Sequence, residues 1–181
     1  MNKDKEPMVI SISAVSGGGK TTITELLNKT LQRSKALFFD DYNFDGPTDI
    51  VKWINRGANP NEWDLTPFIE DLQALSKEFL DYVIIDFPFS YTHSQINYLI
   101  NISVFIDTPL DIAMVRRVIR DHSDSSTEII LSDMENYLLR GRSGYVHMLN
   151  TIKPNVDLVV DGTLDKVEII NVIRRDLSIS L

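Results

Sequence analysis

Apolar residues along the chain fall into five short blocks, at 9–15 (VISISAV), 36–39 (ALFF), 82–86 (YVIID), 102–107 (ISVFID) and 156–160 (VDLVV). The third and fourth do not alternate with polar residues, as expected of strands buried on both faces of a parallel sheet. Between the blocks the apolar spacing widens to a helical period. Ile23, Leu26, Leu27 and Leu31 mark a helix over 20–33, and the same period runs over 66–80, with Thr66 as the expected N-cap and Pro67 as the first residue. Further helices are predicted at about 92–99, at 109–120 behind Pro109, at about 129–149 and at 164–177. Strands alternating with helices imply right-handed crossovers, so the expected fold is α/β: a three-layer sandwich around a five-stranded parallel sheet.

Two polar stretches interrupt the pattern. Residues 41–65 carry Gly46-Pro47, Gly57 and Asn59-Pro60 and are long for a plain connection. Loops of that length inside a compact domain are functional or hold short elements of their own, and this one reads as a substrate-facing insertion. Trp53 and Trp63 lie in it, either shaping an acceptor pocket or anchoring the loop. The second stretch, DHSDSSTE, opens a candidate lid at about 121–130. With 181 residues and no linker or internal repeat, residues 1–181 read as a single domain.

The absence of cysteine removes disulfides, thiolate metal sites and cysteine nucleophiles, and suits a reducing compartment. A formal net charge of −8 argues against general binding to nucleic acid, whose phosphates are held by clustered Lys and Arg. The charged start, MNKDKEP, and the short apolar run after it match neither a signal peptide nor a membrane span, so no membrane association is expected and the cytoplasm is the expected location. His93, His122 and His147 have no metal-ligand spacing and read as surface or packing residues. Monomer and homo-oligomer stay equally open.

Chemistry enters at SAVSGGGKTT, residues 13–22. Ala14-x-x-x-x-Gly19-Lys20-Thr21 fits the Walker A pattern with Ala in place of the first glycine. Glycines let successive backbone N–H groups turn toward phosphates, and the following helix adds its positive end. Lys20 would reach the β and γ oxygens and Thr21 would place a hydroxyl on Mg²⁺, so Ser16, Gly17, Gly18, Gly19, Lys20, Thr21 and Thr22 are the candidate ATP-binding residues. The loop's position between a strand and a helix favours this over a flexible turn. Asp86, ending an apolar strand, stands where a second Mg²⁺ ligand would sit, the alternative being an acid that caps a turn. Asp40 and Asp41 end the strand that follows the loop's helix, where a carboxylate can take the proton of an attacking hydroxyl. Adjacent strand residues point to opposite sides, so one of the two faces the site, and sterics alone do not choose between them.

In order along most of its length, the chain resembles the uridine kinase and nicotinamide riboside kinase group of P-loop phosphotransferases, which also takes in phosphoribulokinase and bacterial pantothenate kinase relatives. The resemblance rests on SGGGKTT, on DDYNF, on EWDL, on YVIID, on IDTPLDIAMVRRVIRD and on PNVDLVVDGT. It implies Asp40 as catalytic base, Asp64 as an acid binding sugar hydroxyls, and Arg117 and Arg120 as phosphate contacts acting with Lys20. Arg117 and Arg120 also share a helix face by spacing. On the residues alone, Asp64 reads equally as an acid at a helix start. Tyr42 either stacks on a base or anchors the loop, and with Asp41 it joins the substrate-binding candidates. Two departures stand out: DSSTE lacks the lid arginines of uridine kinases, which leaves Arg140 and Arg142 as replacements, and Asp86 is followed by Phe-Pro where the group has Glu-Gly. The expected function is ATP-dependent phosphoryl transfer to an alcohol group of a small metabolite, a nucleoside first, with nicotinamide riboside or pantothenate as alternatives. The reading from another class is a nucleotide-binding regulatory ATPase without acceptor. A GTP switch lacks its N-K-x-D base-reading motif.

Overall fold

A computed structural model describes residues 6–176. Most of the N-terminal charged segment and the last residue of the predicted closing helix, Leu177, lie outside the described residues. Five parallel strands, β1 (Met8–Ser13), β2 (Ser34–Phe38), β3 (Tyr82–Asp86), β4 (Ile102–Asp107) and β5 (Leu158–Asp161), form one sheet in the order β2-β3-β1-β4-β5. Side chains alternate across it with period two. Ile10, Ile12, Ile84, Val104 and Ile106 face a core shared with the helices α1 (Lys20–Thr30) and α7 (Lys166–Asp176). Val9, Val83, Ile85 and Phe87 face the opposite core, with Phe68, Leu72 and Leu75 of α3 (Thr66–Leu75). Full burial of each such side chain is worth about 1.5–3 kcal/mol, which explains why these strands carry no polar alternation. The architecture is the expected three-layer α/β sandwich.

The register sets up the site. Asp86, the last residue of β3, is paired with Ile12 of β1 on one side and Phe38 of β2 on the other. The segments that leave β1, β2 and β3 therefore emerge together at one edge, the carboxyl edge where ligands of open α/β sheets bind.

Several local expectations are corrected. β2 ends at Phe38, and Asp40 and Asp41 lie in a 3₁₀ turn (Phe39–Asp41) beyond it, so the alternation of a strand does not separate them. The helix expected at 92–99 is two 3₁₀ turns, Ser90–Thr92 and Asn97–Leu99. Between the two turns Ser94 N–H donates to Asn61 Oδ1 (2.8 Å) and Gln95 N–H to His93 Nδ1 (3.3 Å). His93 is buried and its Nε2 meets the Trp63 carbonyl at 3.1 Å, a packing role. Helix α3 stops at Leu75 rather than 80, where Ser76 Oγ bonds the Gln73 carbonyl and competes with continued helix. Its N-cap position is Leu65, and the Asp64 carboxylate accepts from Thr66 N–H (3.0 Å) and Thr66 Oγ1 (2.6 Å).

The insertion contains elements of its own: the short helix α2 (Ile50–Asn55), started by Asp49 accepting from Lys52 N–H, and a 3₁₀ turn Pro60–Glu62. Helix α4 (Leu110–Asp121) follows β4. After it comes a helical run in which α5 (Thr127–Asn136) and α6 (Arg142–His147) are joined by a π-helical turn, Tyr137–Gly141, and a second, Met148–Ile152, follows α6. Among the described residues no helix is long and apolar enough to cross a membrane.

Candidate active site

The loop between β1 and α1 is held by its neighbours. Gly17 adopts φ +79°, and a Cβ there would lie 2.0 Å from the Ala113 carbonyl oxygen of α4, so both conformation and space require glycine. Thr108 Oγ1, at the end of β4, donates to the Gly18 carbonyl at 2.9 Å. Ser16 through Thr22 all line a cavity of about 1270 Å³. Lys20 and Thr21 open α1 and both meet Asp86: Lys20 Nζ forms an ion pair with Oδ1, and Thr21 Oγ1 donates to Oδ2 at 2.8 Å. Asp86 is only 1% exposed. Burial pushes the Lys20 ammonium down to about 8, with Asp40 opposing the shift and Arg120 reinforcing it.

A hydroxyl beside a buried carboxylate, at the mouth of a phosphate loop, is an oxygen donor set suited to Mg²⁺. Among the described residues no group of three or more His, Asp or Glu side chains converges as a metal cage.

The fold sorts the remaining candidates. Asp40 and Asp41 are both exposed, but Asp40 lines the cavity and lies close enough to Lys20 to stabilise its charge, and Asp41 does not line it. On α4, Arg120 lines the cavity while its guanidinium is held by Asp121 at 2.6 and 3.0 Å. Arg117 turns instead to Asp133 of α5 in a half-buried ion pair, with its Cβ close under Gly17. Arg116, which sequence reasoning passed over, lines the cavity and donates to the Gly162 carbonyl at 3.1 Å. The signal for it was present, since Arg116 and Arg120 are spaced i, i+4 and share a face as well as the i, i+3 pair does.

Both replacement arginines are exposed; Arg140 lines the cavity and Arg142 does not, nor does any residue of 121–130. The roof comes from elsewhere: α2 and α6 meet across the cavity, where a Cβ on Gly144 would lie 3.0 Å from Ile54 Cδ1. Phe39, Trp53 and Phe89 form its aromatic wall. Asp64, bonded to Thr66, lies outside the lining, and so does Tyr42, whose hydroxyl donates to Asp71 at 2.6 Å and whose ring stacks on Phe44.

No family model matches the chain. The uridine kinase of Borrelia duttonii (strain Ly) is 24% identical over 176 residues, covering 84% of this chain and 85% of that protein. The uridine kinase of Schizosaccharomyces pombe is 26% identical over 209 residues, covering 94% of this chain but 44% of the yeast protein. The chain is a P-loop small-molecule kinase related to uridine kinases. Solved structures carry the fold of this kinase: shikimate kinase from Aquifex aeolicus aligns at 17% identity with a TM-score of 0.53, covering 94% of this chain and 96% of that one. Deoxyadenosine kinase from M. mycoides aligns at 17% identity with a TM-score of 0.55, covering 94% and 100%.

Proposed function

We propose that this kinase transfers the γ-phosphoryl group of ATP to a hydroxyl of a nucleoside. The observation that carries the reading is Asp40: among the described residues it is the one carboxylate lining the cavity, and it lies near Lys20 of the phosphate loop. As the acceptor oxygen bonds to the γ-phosphorus, the bond from that phosphorus to the β–γ bridging oxygen breaks, and the hydroxyl proton passes to Asp40. Lys20, released from Asp86 by competing phosphate oxygens, and Arg120 offset the charge that spreads over the transferred group. Thr21 and Asp86 would hold a Mg²⁺ ion, which when bound neutralises charge on the β and γ phosphates. In this reading Arg117 supports the phosphate loop through Asp133, and Arg140 stands in for the lid arginines that DSSTE lacks. The nucleoside is favoured by the activity named for the relatives.

The test is ADP release from ATP with and without a panel of nucleosides, nicotinamide riboside and pantothenate. Acceptor-dependent release supports the proposal, and the acceptor giving the highest kcat/KM names the class. Release that no acceptor changes would instead identify a nucleotide-hydrolysing regulator.

A further inference from the structure

We infer that this kinase selects its acceptor by an aromatic wall and reads one hydroxyl, the reacting one, so that ribonucleosides and 2′-deoxyribonucleosides serve it equally. The inference rests on the nucleoside reading of the site given above and adds how the acceptor is recognised. A hydroxyl both donates and accepts, and carboxylates and side-chain amides are the side chains that accept from it most readily. This cavity holds one such group. Among the described residues Asp40 is the only acid on its lining, and no Glu, Asn or Gln is on it.

Three polar side chains of the insertion that could have served are bonded elsewhere and lie off the lining. Asp64 is bonded to Thr66, Asn59 Oδ1 accepts from Asn61 N–H at 3.1 Å, and Asn61 Oδ1 accepts from Ser94 N–H at 2.8 Å. Two hydroxyls that do line the cavity are likewise engaged, Thr92 Oγ1 with the Phe89 carbonyl (2.6 Å) and Thr151 Oγ1 with the His147 carbonyl (2.6 Å). Tyr145 and His147 of α6 remain as single contacts.

What the wall offers in place of hydroxyl partners is fixed ring surface. Phe39 and Phe89 meet edge to face at 5.6 Å (87°), and Phe89 and Trp53 at 6.1 Å (68°). Trp53 Nε1 is tied to the Asn59 carbonyl at 2.9 Å, and the indole is almost fully buried. Such rings present a preorganised apolar surface to a planar base, and stacking tolerates variation elsewhere in the ligand.

The experiment compares kcat/KM for uridine with 2′-deoxyuridine and for cytidine with 2′-deoxycytidine, with ATP as donor, alongside nucleoside binding followed by tryptophan fluorescence. A site built to bond a hydroxyl rejects the analogue lacking it by about 10⁴-fold. The expected ratio here is within tenfold, and Trp53→Leu and Phe89→Leu should each raise the acceptor KM about tenfold or more while the KM for ATP stays put. Two substitutions guard against one of them failing to fold. A ribonucleoside preference above tenfold overturns the inference, and its loss in Tyr145→Phe or His147→Ala would identify the reader. If both forms bind equally, with a fluorescence change lost in Trp53→Leu, but no nucleoside raises ADP release, the transfer reading fails and the wall inference stands. If no nucleoside binds, the wall inference fails.

Discussion

The two halves of the cavity are made differently. The donor half is built from contiguous sequence: seven successive residues, Ser16 to Thr22, line it, and the three strand ends beneath them are in register at Asp86. Its walls are backbone amides and cations. The acceptor half is assembled from pieces far apart in the chain, Phe39, α2, Phe89 and α6, and its surface is mainly apolar. A phosphate chain is the same in every nucleotide, so one local motif suffices to hold it. An acceptor varies, and its wall is set by whichever side chains tertiary packing brings up.

Breaking the junction between the halves should have the largest effect. Asp40→Asn is expected to lower acceptor-dependent transfer by about 10²–10⁴-fold, the scale of a positioned general base, with ATP affinity retained. Asp41→Asn, outside the cavity, should be mild. Steady-state rates and calorimetric ATP binding, with and without Mg²⁺, check both, and a more damaging Asp41→Asn would move the base by one residue. Within the donor half, Lys20→Ala should cost on the order of 10²–10³ in kcat, because a charge at the transferred group is lost. An unchanged circular dichroism spectrum would show that the fold survives.

A finer division concerns the arginines. Arg140→Ala should slow transfer several-fold, whereas Arg142→Ala, off the cavity lining, should stay within about twofold. Equal effects would mean that the roof formed by α2 and α6 rearranges when substrate binds.

The smallest effect is a pH dependence belonging to the donor half alone. Lys20 is held down to about 8 mainly by burial. Phosphate favours its charged form, so below about pH 8 the ammonium is already present, and above it nucleotide binding must take up a proton. ATP affinity without Mg²⁺ should therefore fall as the pH rises through about 8 to 9, with proton uptake visible when calorimetry is repeated in buffers of different ionisation enthalpy. Acceptor binding should show no such uptake. An ATP affinity flat across this range would mean that the Asp86 ion pair keeps Lys20 charged throughout.

The sequence by itself determined the strand–loop–helix unit around Lys20, the boundaries of β3 and β4, and the sheet's parallel nature. Those features follow from short-range rules: uniform apolar runs demand burial on both faces, and glycines before Lys-Thr leave the backbone free to turn. The acid pair Asp40-Asp41 after β2 was legible too, but not its setting in a 3₁₀ turn nor which of the two lines the cavity. Only the tertiary structure decided which arginines face the cavity. Arg116, Arg117 and Arg120 are near-equivalent in sequence, but Asp133, sixteen residues beyond Arg117, draws that side chain away while its neighbours stay on the cavity. Tertiary packing also replaced the helix expected at 92–99 by two 3₁₀ turns, with Asn61 of the insertion bonded to Ser94 N–H between them. In each case a polar group had several partners of similar strength within reach, and periodicity carries no information about which one packing brings nearest.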